Sequence, residues 1–162
     1  AALDCGVPIG GFMPADGRNE AGLIPEPIAS RLRRSSSRHP AERTRSNVAH
    51  ADAAVVIVPD RRRAGATRGT ALTIRLCEER ERRGPRPGGS VFQLLVVDPA
   101  YHAESAAGWV AAWPRSLLAG WRDAGRTHPL RLMVAGPRAS LWPDGEREAR
   151  RFVEAICKAV QS

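Results

Sequence analysis

The sequence predicts an α/β fold of the Rossmann-like kind, three layers (α/β/α) with a mainly parallel sheet in the middle. Three observations carry that expectation. Two continuous apolar runs, Ala53 to Val58 (AAVVIV) and Val91 to Asp98 (VFQLLVVD), read as strands buried on both faces. A third run, Leu130 to Ala135 (LRLMVA), reads as another strand. Stretches of helical spacing separate and follow these runs. Strand and helix therefore alternate, which is the pattern of a parallel sheet covered by helices.

Taken in order, Ala1-Ala2-Leu3-Asp4-Cys5 reads as the end of a helix closed by Gly6, with Pro8 beyond. Such an opening, with no initiator Met, leads to the expectation that further chain lies upstream in the gene. Residues 7–12 suit a short strand, and residues 13–39 read as irregular. Within them Arg31, Arg33, Arg34 and Arg38 stand among three serines, so 29–39 is expected to be a flexible, exposed loop. Pro40 to His50 suits a short helix with proline in its first turn. The first buried strand follows, bounded by Asp52 and Pro59. Thr70 to Arg83 reads as a helix, with Leu72, Ile74, Leu76 and Cys77 apolar. The GPRPGGS stretch at 84–90 reads as a flexible connection to the second buried strand.

Glu104 to Ala124 reads as helical, with a possible bend at Pro114. Trp109, Trp113, Leu117 and Trp121 recur every four residues along it. That stripe suits a core face or a subunit contact, and a homo-oligomer stays open; an aromatic ligand face is the alternative. After the third strand, Asp144 is a plausible N-cap. The last helix places Ala149, Phe152, Val153, Ile156 and Val160 on one face, and Arg150, Arg151, Glu154 and Lys158 on the other. One domain spanning 1–162 is expected.

Composition narrows the function classes. The chain has 162 residues, 43% hydrophobic and 26% charged, which excludes a wholly disordered protein. No apolar run approaches the roughly 20 residues of a membrane span, so no membrane partner is expected. No signal segment opens the chain. Cys5, Cys77 and Cys157 are odd in number and far apart, which implies neither a disulfide framework nor a metal site. A cytoplasmic location is the expectation. Lysine and arginine total 25 against 17 acidic residues, a net charge of +8, and Lys158 is the only lysine. Arginine bias suits a GC-rich genome, and it also suits an anion-binding surface, because guanidinium forks match phosphate geometry. Nucleic acid is disfavoured as a partner, since the few aromatics do not interleave with the basic clusters.

In parallel α/β folds the ligand site lies beyond the carboxyl ends of the strands. That rule selects residues 59–70, 98–104 and 136–143. The first loop holds Gly65-Ala66-Thr67-Arg68-Gly69-Thr70 before a helix. Its glycines allow close backbone approach, and N–H groups at the helix start suit an anion. It is neither a Walker loop nor GxGxxG. Arg138 follows a strand and a Gly-Pro turn, where it suits a phosphate, a carboxylate or a structural ion pair. Arg43 and Asn47 lie one helical turn apart with Thr44 between. Each could meet a ligand, or Arg43 a surface carboxylate and Asn47 nearby backbone. His39, His50, His102 and His128 show no metal-ligand spacing, and no nucleophile is flanked by a recognisable base.

An ordered set of short motifs spans nearly the whole chain. It runs from Ala1-Ala2-Leu3-Asp4 through Gly10-Gly11 with Pro14, Gly17-Arg18, Glu20, Gly22 and Ile24-Pro25. It continues with Arg43-Thr44, Asn47-Val48, Asp52-Ala53, Gly69-Thr70-Ala71 and Val134-Ala135-Gly136-Pro137-Arg138. The set resembles the putative molybdenum carrier family, which is similar to the Rossmann-like phosphoribohydrolases once described as lysine decarboxylases. The resemblance implies a binding or carrier protein for an anionic, phosphate-bearing small molecule, with molybdenum cofactor or a nucleotide as the cofactor class. Joined to the loop reading, it assigns ligand contacts to Gly10, Gly11, Arg18, Arg43, Thr44, Asn47, Gly65, Thr67, Gly69, Thr70, Gly136, Pro137 and Arg138.

Three departures from those families matter. The strand and GGQTGVDR-like phosphate loop that precede the ALD segment are absent, so the expected sheet lacks the family's first strand. Ala66-Thr67-Arg68 stands where Gly-Gly-Thr is usual. Thr73 stands where the phosphoribohydrolases carry a glutamate, and a hydroxyl cannot replace a carboxylate in proton transfer. The reading therefore leans away from catalysis. Nucleotide N-glycosidase and an arginine-rich nucleic-acid or protein interaction module are the alternatives.

Overall fold

The computed structural model describes residues 1–60, 67–84, 92–99 and 106–161, with 106–111 as backbone. Its centre is a parallel sheet of order β6-β5-β7. β5 (Ala53–Ile57) lies in the middle, between β6 (Gln93–Val97) and β7 (Leu132–Ala135). The register sets Val55 opposite Leu95 on one side and Val134 on the other. Every residue of β5 is buried, because a middle strand covered on both faces has no wet side. The flanking strands are mostly half-buried, and Val134 is 42% exposed. Burial on both faces, expected for 91–98, thus holds at Val97 but not along the strand, since β6 is a sheet edge among the described residues.

Side chains alternate across β5. Val55 and Ile57 pack with Val97, Phe152 and Ile156, while Ala54 packs with Val48, Ala51, Cys77 and Phe92. The first cluster places α5 (Gly145–Gln161) on one face. The second places α2 (Pro40–His50) and α3 (Arg68–Arg82) on the other. α4 (Ala106–Asp123) packs against α5. The result is the three-layer, Rossmann-like α/β/α arrangement.

Local chemistry explains the element ends. Pro40 opens α2 at a position that needs no N–H donor, and the His39 ring accepts from Ala41 N–H at 3.3 Å. Arg80 and Arg82 sit in the last turn of α3, where the helix dipole favours cations. In α4, Leu117 and Trp121 are buried, and the Trp121 indole N–H donates to His128 O at 2.9 Å. The core alternative therefore holds at these two stripe positions; the Trp109 side chain lies outside the described residues.

The first residues make one closed turn. Gly6 N–H donates to Leu3 O and Val7 N–H to Ala2 O, at 3.0 and 2.9 Å, with Gly6 at φ +70°. This is the Schellman pattern that the glycine announces. The short strand expected within 7–12 is β1 (Phe12–Met13). Residues 29–39 are more ordered than their composition suggests. They follow the one-turn α1 (Glu26–Ala29) and contain β4 (Arg33–Arg34), which pairs in parallel with β1. The pairing uses backbone groups only, Arg33 N–H to Gly11 O and Ser35 N–H to Met13 O, so an Arg/Ser composition does not reveal it. β2 (Arg18–Asn19) and β3 (Gly22–Leu23) form a small hairpin. Residues 85–90 and Glu104 lie outside the described residues. Among the described residues, no helix is long and apolar enough to cross a membrane.

Candidate anion-binding cleft

From the carboxyl end of the sheet the chain leaves β5 toward α3 on one face, and β7 toward α5 on the other. Such a divergence opens a crevice between the strands. A cleft of about 650 Å³ lies there. Its walls are the N-terminal half of α2, the first turns of α3, and β7 with the loop that follows it.

Three arginines line this cleft: Arg43 from α2, Arg68 from the first position of α3, and Arg138 from the loop after β7. No aspartate or glutamate stands among the described lining residues. Elsewhere arginines find carboxylates. Arg131 grips Asp52 with two bonds of 2.9 and 3.0 Å, and Arg150 bonds Asp4 at 3.1 Å. The guanidinium groups of Arg43 and Arg138 form no ion pair or hydrogen bond with any described residue. Arg43 is half-buried, and burial followed by the charge of Arg138 pushes its pKa below the ordinary arginine value. Like charges held together, Arg43 half-buried and neither paired with a described residue, raise the local potential for an anion.

The start of α3 adds oriented donors. Thr67 caps the helix by accepting from Thr70 N–H at 3.2 Å, and its own hydroxyl donates to Thr70 Oγ1 at 2.7 Å. The N–H groups of Arg68 and Gly69 are among those a helix leaves without intrahelical acceptors. A side-chain carbon at Gly69 would meet open space, so protein packing does not require a glycine there. Thr73 is buried, and its hydroxyl donates to Gly69 O at 3.0 Å.

The family-level comparison agrees with this architecture. The circularly permuted YpsA SLOG family matches residues 1–157. The chain belongs to that family. A crystal structure of a putative molybdenum carrier protein from Syntrophus aciditrophicus is similar to it, with a TM-score of 0.64 and 20% identity over 99% of this chain and 81% of that one. At that identity the likeness establishes the fold. No curated protein matches the chain.

Most of the sequence-selected residues of this SLOG chain meet in the cleft. Arg43, Thr44, Asn47, Thr67, Gly69, Thr70, Gly136, Pro137 and Arg138 all line it. Two of them have structural duties that sequence left open. Asn47 Oδ1 accepts from Phe12 N–H at 2.8 Å, and its Nδ2 donates to Phe12 O at 3.2 Å, so the amide clamps β1 to α2. A side-chain carbon at Gly136 would come within 2.8 Å of Ile57 O, so this glycine lets the loop after β7 approach the end of β5. Thr44 Oγ1 donates back to Pro40 O at 3.1 Å.

The remaining assignments fall elsewhere. Gly10 and Gly11 do not line the cleft. Gly11 lies at φ +119° against Asn47 Oδ1, and its work is to seat the clamp. Arg18 is exposed on the β2–β3 hairpin and is not among the lining residues. Gly65 lies outside the described residues. Sequence reasoning missed Arg68, although it stands inside the selected loop, and the apolar contributors Phe12, Met133 and Leu141. Glu20, named in the motif set without a role, has one here: its carboxylate accepts from Ser140 N–H and Oγ–H, both at 3.2 Å. That contact fastens the β2–β3 hairpin to the loop that carries Arg138. Among the described residues no group of three or more His, Cys, Asp or Glu is placed to hold a metal ion.

Proposed function

We propose that the chain binds an anionic, phosphate-bearing small molecule in this cleft. The supporting observation is the meeting of Arg43 and Arg138 in one cavity with no carboxylate partner among the described residues. An anion would offset a repulsion that no described carboxylate compensates. Arg43 and Arg138 would supply charge-assisted bonds, and the Arg68 and Gly69 N–H groups would point at the same oxygens. Phe12, Met133 and Leu141 offer an apolar surface for the rest of the molecule.

Molybdenum cofactor and a nucleotide both present a phosphate, and either suits this reading. The name of the Syntrophus neighbour favours the first as cargo. Binding is preferred over N-glycoside hydrolysis because the Thr73 hydroxyl is already engaged by Gly69 O and carries no charge. The expected setting is the cytoplasm.

Native mass spectrometry of the purified chain tests the proposal, followed by titration with AMP, inorganic phosphate and molybdate. A retained phosphate-bearing mass, or saturable binding of AMP, is the expected result. Absence of both, with a folded protein, would overturn it.

A further inference from the structure

Three thiols occupy three different environments. Cys77 is wholly buried in the core between α2, α3 and the sheet, where burial pushes its thiol up to about 12. Cys157 is buried on α5, while Cys5 is partly exposed in the N-terminal turn. The turn is fixed to α5 on both sides of Cys157. Gln161 Nε2 donates to Cys5 O at 2.8 Å, and Arg150 donates to Asp4 Oδ2 at 3.1 Å. At 3.6 residues per turn, positions 150, 157 and 161 fall within about 40° of one another around the helix. Cys157 therefore lies beneath the segment that carries Cys5. The two sulfurs sense each other: after burial, the neighbouring Cys5 thiol is what raises the Cys157 pKa.

We infer that Cys5 and Cys157 are a redox-responsive pair, which a peroxide closes into an intramolecular disulfide tying the N-terminal turn to α5. Cys5 is the accessible member. Its thiolate attacks one peroxide oxygen, the O–O bond breaks, and hydroxide leaves a Cys5 sulfenic acid. The Cys157 sulfur then attacks the Cys5 sulfur as its own proton is lost. The S–O bond breaks, and the departing hydroxide takes up a proton as water. In sum, two thiols and one hydrogen peroxide give one disulfide and two waters. The two sulfurs are oxidised and the peroxide oxygens reduced. Cys77 takes no part, because it is walled into the opposite layer with its thiol held protonated. The bridge would close a loop of nearly the whole chain, so the oxidised form should resist unfolding until a reductant is added. This inference is independent of the cleft.

Peroxide treatment of the folded chain, followed by thiol blocking and unreduced peptide mapping, tests it. The expected product is a monomer lighter by two hydrogens, with the Cys5 and Cys157 peptides joined and Cys77 recovered as a thiol. Cys77→Ser should keep the product, and Cys5→Ser should abolish it. A Cys5 that stops at sulfinic or sulfonic acid, or that bridges two chains while Cys157 stays reduced, would overturn the inference. Cys157→Ala should also lose the product; if that variant does not fold, mapping of the wild type and of Cys5→Ser still decides.

Discussion

Arg43 on α2 and Arg138 after β7 share one cleft with no carboxylate among the described residues that line it, and the charge of Arg138 adds to burial in lowering the pKa of Arg43. Arg43 is half-buried, a setting in which an arginine is ordinarily paired. Leaving two guanidinium groups without a partner among the described residues gives up some stability, and the usual return for that is binding.

Replacing Arg138 with Met should therefore leave the ligand-free protein within about 0.5 kcal/mol of wild type, or make it more stable. No described carboxylate loses a partner, and Arg43 loses a like-charged neighbour. Urea unfolding in low-phosphate buffer checks this. A clear fall in midpoint would mean that Arg138 has a structural partner.

Asn47 predicts the opposite behaviour. Its amide satisfies both backbone groups of Phe12 across 35 residues of sequence. Asn47→Ala leaves the Phe12 N–H without its acceptor and should cost about 1–3 kcal/mol in urea unfolding. Asn47→Asp keeps the acceptor and should cost less.

Gly136→Ala places a carbon 2.8 Å from Ile57 O. The strand ends must separate to admit it, at about 1–3 kcal/mol. The same movement displaces Arg138, so anion affinity should fall along with stability. A combined melt and titration would reveal both.

The legibility of this chain follows from where its information is local. The AAVVI run is visible because β5 is buried on both faces, and a buried middle strand needs an unbroken apolar sequence. Thr67, Gly69 and Arg138 are visible because they follow strand ends, where α/β folds place ligands. β4 is not visible: two exposed arginines pair through backbone groups alone. The Asn47–Phe12 clamp and the Glu20–Ser140 contact join residues far apart in sequence, so no local pattern announces them. Gly11 and Gly136 were legible as glycines with a purpose, but the purpose is close backbone packing. Arg68 reads in sequence only as part of a departure from a tighter glycine loop, although its position at the start of α3 brings it to the cleft.

Cys77 predicts a pH dependence. Its thiol titrates at about 12 when folded, against 9.0 for an ordinary thiol. Above pH 9 the unfolded chain releases this proton and the folded chain keeps it, so the unfolded state binds fewer protons. Stability should then fall as pH rises from about 9 toward 12, by up to about 1.4 kcal/mol per pH unit from this group. Cys77→Ala should remove that share of the slope. Urea midpoints measured from pH 8 to 11 on both proteins check it.

The central claim is that Arg43 and Arg138 together bind an anion. Isothermal titration of AMP into the wild type and into Arg43→Ala and Arg138→Ala tests it most directly. The account predicts saturable binding by the wild type, weakened about tenfold or more in each variant, as expected for loss of a charged hydrogen bond of roughly 1.5–3 kcal/mol. Equal affinity in all three proteins would contradict it.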